Sequence, residues 1–143
     1  MPRAKLRRGC AVVSAATVAS LRCAAVCGAA NNQLLDDDAD DALAARGILY
    51  APDFVVNAGG IINIAHEWAP EGYSSERAHA QTAGIEDTTR AVLALARAAG
   101  ITTAAAADEL ARRRIATDGH APYRPGEPSV MRDALLARRE RFR

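Results

Sequence analysis

Two segments of the chain follow one design, an apolar run ending in small residues and an asparagine: Val26-Cys27-Gly28-Ala29-Ala30-Asn31 and Val55-Val56-Asn57-Ala58-Gly59-Gly60. A carboxamide both donates and accepts hydrogen bonds, and residues without bulky side chains let a ligand approach the backbone. In an open α/β sheet, ligands bind beyond the carboxyl ends of the strands, where such residues stand. Either segment alone is also an ordinary turn after a strand. Their repetition points to one ligand faced by both.

Other chemistries have less support. His66 is followed by Glu67, but no second histidine completes an H-E-x-x-H zinc motif, and His79 and His120 lie in unrelated contexts; all three read as surface or packed histidines. Ser14, Ser74 and Ser75 lack the G-x-S-x-G turn that exposes a nucleophile. Adjacent aspartates on a helix point in different directions, so Asp36 to Asp41 reads as a solvated helix start and not as a metal site. Cys10, Cys23 and Cys27 are odd in number and form no C-x-x-C, which argues against a disulfide framework or a zinc site. They read as small apolar residues of a protein in a reducing cytoplasm. No metal is expected.

The elements that would position the two asparagines follow from periodicity and caps. Ser14 to Leu21 suits a short helix, and Cys23 to Cys27 a buried strand ending at Gly28. The acidic cluster leads a helix that closes at Gly47. Ile48-Leu49-Tyr50 reads as a strand, Ala51-Pro52-Asp53 as a turn, and Phe54-Val55-Val56 as a second apolar strand. Ile61 to Trp68 reads as a helix ended by Pro70 and Gly72. Ser74 or Ser75 caps a long helix carrying Ile85, Val92, Leu95 and Ala99 on one side, closed by Gly100. Thr102 or Thr103 caps the next, from Ala104 to about Ile115. The prolines and glycines after Thr117 read as a linker, and Ser129 to Arg143 as a basic helix with Val130, Leu135 and Leu136 on its apolar side. No internal repeat is present.

With 50% hydrophobic residues in 143, the chain can bury one core, but alanine carries much of that share and aromatics only 4%, so stability is expected to be marginal without covering surfaces. Eighteen basic against 17 acidic residues leave a net charge of +1, which gives no global field for nucleic acid or a membrane. The basic Met1 to Arg8 and the apolar Cys10 to Leu21 imitate a secretory signal, but Arg22 follows and the stretch reads better as part of a folded domain. No uninterrupted apolar stretch reaches the length of about 18 residues that spans a bilayer.

The run from Cys27 through Leu34, continued by Gly47 through Ile62 (GILYAPDFVVNAGGII), closely resembles the glutamate/leucine/phenylalanine/valine dehydrogenases, nearest the leucine and valine enzymes. The similarity starts near Gly9-Cys10-Ala11, continues to about Ile115 and corresponds to the last part of the family's enzyme. The resemblance implies an α/β fold: the last strands of a doubly wound, Rossmann-type sheet followed by C-terminal helices. It divides the chain into a basic extension (1–8), the C-terminal part of an NAD-binding domain (9–116), and a linker with a basic tail (117–143).

It further implies reversible oxidative deamination of a branched-chain or aromatic amino acid, with hydride passing to NAD and the 2-oxo acid and ammonia as products. Gly28, Ala29, Ala30, Asn31 and Asn57 then correspond to cofactor-binding positions, and Asn57, Thr82 and Ile85 to substrate-binding ones. Thr82 is polar where the family tends to be aliphatic. The family's catalytic lysines and aspartate belong to a substrate domain with no counterpart here, and Lys5 is the only lysine. No G-x-G-x-x-G turn is present to cradle a pyrophosphate. The expectation is a segment without catalytic residues, inactive alone, whose partners are the missing substrate domain or another subunit of a homo-oligomeric parent. The alternative is a non-catalytic remnant or interaction module. Nucleic-acid binding would rest only on the arginine-rich ends.

Overall fold

A computed structural model describes residues 12–69 and 71–117. The linker, the basic tail, Cys10, His120 and the Gly9-Cys10-Ala11 turn lie outside the described residues. The fold is α/β, mostly helical, with a small parallel sheet. Ser14 caps the one-turn helix α1 (Ala15–Val18) through a capping box with Thr17. Strand β1 (Ala25–Val26) follows, then α2 (Asp37–Ala45) and β2 (Leu49–Tyr50). The two strands pair in parallel, Ala25 opposite Leu49 and Val26 opposite Tyr50, and Val13 bridges to Leu34 beside them.

Asp36 caps α2 by accepting from the Ala39 N–H, and Gly47, at φ 64°, turns the chain back into β2. One face of this β–α–β unit is packed with buried side chains. Val13, Val18, Val26, Ala39, Leu43, Ile48 and Tyr50 form its core, and Arg46 donates from Nη1 to the Val18 carbonyl across α1 and α2.

The rest is helical: α3 (Asp53–Val56), α4 (Gly59–Glu67), α5 (Ser75–Ala99) and α6 (Thr103–Thr117). Ser74 caps α5, and Gly100 ends it at φ 65°, a left-handed conformation that glycine adopts without strain. The chain then turns by 109° into α6. Val92 and Ala96 of α5 pack on Ala106 and Ala107 of α6, a close approach that alanine permits. Thr103 Oγ1 donates to the Tyr50 carbonyl at 2.7 Å, fixing the start of α6 to the end of β2. Among the described residues no single helix is long and apolar enough to cross a membrane.

Four expectations need correction. Phe54-Val55-Val56 is not a strand but the helical turn α3: Pro52 starts it with φ preset, its carbonyl accepts from the Val55 and Val56 N–H groups, and Asn57 closes it on the Asp53 carbonyl. The buried strand expected over Cys23 to Cys27 shortens to two residues, of which only Val26 is buried, because β1 has a partner only at Leu49–Tyr50; Cys27 is exposed. Asp40 of the acidic cluster is buried, since its face of α2 meets the Thr102–Ala104 turn. Ala99 is exposed, and Ala96 takes its place on the packed face of α5.

Candidate functional site

The residues following β1 and those following β2 converge. Asn57 Nδ2 donates to Asn31 Oδ1 at 2.7 Å, so the two asparagines singled out by type and context touch. Their bond leaves Asn31 Nδ2 and Asn57 Oδ1 with no protein partner among the described residues. The pair therefore keeps amide donors and acceptors available, the kinds of group that complement a primary carboxamide. Asn31 is exposed and Asn57 half-buried.

Two residues that sequence reasoning passed over hold this arrangement. Asp53, only 5% exposed, accepts from the Asn32 N–H at 2.8 Å, the Gln33 N–H at 3.4 Å and the Tyr50 phenol at 2.6 Å. Burial, then the bond to Asp53, raises the phenol's pKa well above its ordinary value, so Tyr50 stays a donor. Gln33 is buried beneath the loop, with Nε2 donating to the Ala30 carbonyl at 3.1 Å while Oε1 has no partner among the described residues. A Cβ on Gly28 would stand 2.8 Å from Gln33 Nε2. Gly28 thus makes room for the protein's own glutamine, a role distinct from the ligand approach expected of it.

Ala29 and Ala30 form the rest of this loop, Ala29 exposed and Ala30 half-buried. The two other candidates are on α5. Thr82 Oγ1 donates to the Ala78 carbonyl of its own helix at 2.8 Å, and its methyl stands 3.5 Å from where a Cβ on Gly59 would be. The hydroxyl is spent within α5, so Thr82 turns an apolar methyl toward the start of α4, two residues beyond Asn57. Ile85 lines a groove of about 600 Å³ among α3, α4, α5 and α6, together with Phe54, Val55, Ile62, Leu110 and Ile115. Phe54 and Ile115 remain 56% and 70% exposed at its mouth, so the groove is open and largely apolar.

His66 pairs with Gln81 across α4 and α5 at 2.7 Å, and Tyr73 donates to Asn63 at 2.9 Å. The histidine that sequence set aside as packed or superficial is a half-buried link between two helices.

Comparison with known proteins gives this geometry a context. The chain is 52% identical over 100 residues to the valine dehydrogenase of Streptomyces albus, covering 70% of this chain and 27% of that enzyme. It is 44% identical over 107 residues to the leucine dehydrogenase of Bacillus cereus, covering 75% and 29%. The crystal structure of L-tryptophan dehydrogenase from Nostoc punctiforme superimposes with a TM-score of 0.72 at 39% identity, covering 78% of this chain and 33% of that one. The chain therefore spans about a third or less of the length of these relatives. The profile of the Glutamate/Leucine/Phenylalanine/Valine dehydrogenase family matches residues 11–121, and with most of its length so matched this chain belongs to that family.

Proposed function

We propose that the chain forms the nicotinamide side of the cofactor site of an NAD-dependent amino-acid dehydrogenase, within the closing part of a Rossmann-type domain over residues 9–116. The observation that carries this reading is the bonded pair of Asn31 and Asn57, whose remaining donors and acceptors are of the kind that the carboxamide of nicotinamide pairs with. Gly28, Ala29 and Ala30 carry the loop that presents Asn31. When bound, NAD supplies the hydride acceptor for the α-carbon of an amino acid. The residues of this chain orient: Asn31 and Asn57 hold the carboxamide, and Asn57, Thr82 and Ile85 border the substrate. Because Thr82 spends its hydroxyl within α5 and turns its methyl toward the start of α4, the border is apolar, which suits an aliphatic or aromatic side chain.

Proton transfer is left to groups elsewhere, since the described residues at this site include no lysine. Turnover then requires the portion of the relatives' length that this chain does not span, and the open groove among α3 to α6 is a surface for that portion or for another subunit.

The test is a chimera in which residues 11–121 replace the matching segment of the Streptomyces albus valine dehydrogenase. NADH formation from an aliphatic or aromatic amino acid, lost on Asn57→Ala, is the expected result. A folded chimera that neither binds NAD nor forms NADH overturns the reading. The exposed Phe54, Ile61, Ile64 and Ile115 favour a second reading, an interaction module without catalysis. Under that reading the chain associates tightly with an intact dehydrogenase and leaves its turnover unchanged.

A further inference from the structure

We propose that Asp53 is the positioning residue of this site, the one residue that bonds to both asparagine-bearing segments; the proposal rests on reading Asn31 and Asn57 as the nicotinamide-facing pair. Asp53 reaches them from its two ends. Its backbone carbonyl accepts from the Asn57 N–H at 2.8 Å, closing α3 at the residue that carries one carboxamide. Its carboxylate reaches the other segment, accepting from the N–H of Asn32, next to Asn31, at 2.8 Å and from that of Gln33 at 3.4 Å.

Asn32 needs such a hold. It is the only non-glycine among the described residues with positive φ, at 50°, a conformation that costs energy unless its surroundings impose it. A carboxylate oxygen accepts from a backbone N–H without conflict. Tyr50 locks the carboxylate in turn, donating to Oδ1 at 2.6 Å while its oxygen accepts from the Asp53 N–H at 3.3 Å. The brace runs from Tyr50 through Asp53 to Asn32, and it stands behind the carboxamides without touching the cofactor. The sequence hides it because its partners are 20 and 21 residues away.

Asp53→Asn keeps the shape but sets an amide NH₂ against the N–H of either Asn32 or Gln33. The experiment uses the full 143-residue chain labelled with nitrogen-15, with NAD as the added probe. In Asp53→Asn, the resonances of Val26, Leu43 and Val92 stay in place, the amide proton of Asn32 or of Gln33 moves upfield and exchanges faster, the Asn31 and Asn57 side-chain amides lose their distinct shifts, and NAD affinity falls roughly tenfold. Tyr50→Phe, which removes one donor and is the variant to use if Asp53→Asn does not fold, gives a smaller change in the same resonances. Unchanged Asn32, Gln33 and carboxamide resonances in both variants overturn the brace. If instead NAD moves no Asn31 or Asn57 resonance even in the unaltered chain, the cofactor reading fails, and the brace is still decided by the Asn32, Gln33 and side-chain amide signals without NAD.

Discussion

Asn57 and Asn31 lie 26 residues apart in the chain and share a hydrogen bond of 2.7 Å between their side chains. The bond stands at the surface, where water competes for both groups, so its contribution to stability is small while its control of side-chain direction is large.

Asn57→Ala is therefore expected to lower stability by about 0.5–1 kcal/mol and to abolish NAD-dependent shifts at Asn31. Urea titration and an NAD titration of the same sample separate the two effects. A loss of stability well above that range would mark Asn57 as a structural residue.

Gly28→Ala brings a methyl to 2.8 Å from Gln33 Nε2, so the end of the Gln33 side chain, 1% exposed, must shift to admit it. Overpacking of this kind costs about 1–3 kcal/mol. Adding Gln33→Ala to Gly28→Ala recovers part of the loss, and a double-mutant cycle in urea measures the coupling. Independent effects of the two changes would show that the close approach is relieved elsewhere.

Leu43 is fully buried between α2 and the sheet. Leu43→Ala removes about 2–5 kcal/mol, a large share of the stability of so small a core. The denaturation midpoint reads this directly, and an unchanged midpoint would place the core elsewhere.

Asp40 carries a pH dependence whose sign follows from its surroundings. Burial, followed by repulsion from Asp41 and Asp37, raises its pKa above the ordinary 3.8, against the opposing bonds from Thr102 and Ala104. The folded state thus binds this proton more tightly than the unfolded chain does. The associated stability is complete below pH 3.8 and is lost as pH rises through the higher folded value. Asp40→Asn removes that dependence, so the difference in stability between variant and parent grows across this window in the variant's favour. A constant difference from pH 3 to 7 would show that Asp40 ionises freely.

Much of the helical frame was legible because its signals are local. Ser14, Ser74 and Gly100 mark helix ends by chemistry that acts within three or four residues. Phe54-Val55-Val56 misled because three consecutive apolar residues carry no period, and Pro52 serves a helix start as well as a turn. The asparagines stood out by type and setting, and the structure brings them together. Gln33 and Asp53 did not stand out, because what matters at each is a buried contact with a distant backbone or an adjacent glycine. The burial of Asp40 was equally hidden, since it depends on Thr102, far along the chain.

The β–α–β unit has a kinetic consequence. Gly28, Asn31, Gln33, Tyr50, Asp53 and Asn57, which make up the asparagine site and its supports, lie within one stretch of thirty residues. Yet the contacts that join them span 20 to 26 residues, so each waits on the closure of a loop of that length, and parallel strand pairing of this kind is slow. The asparagine pair therefore forms only with the pairing of β1 and β2, the same sheet to which Thr103 ties the start of α6 through the carbonyl of Tyr50.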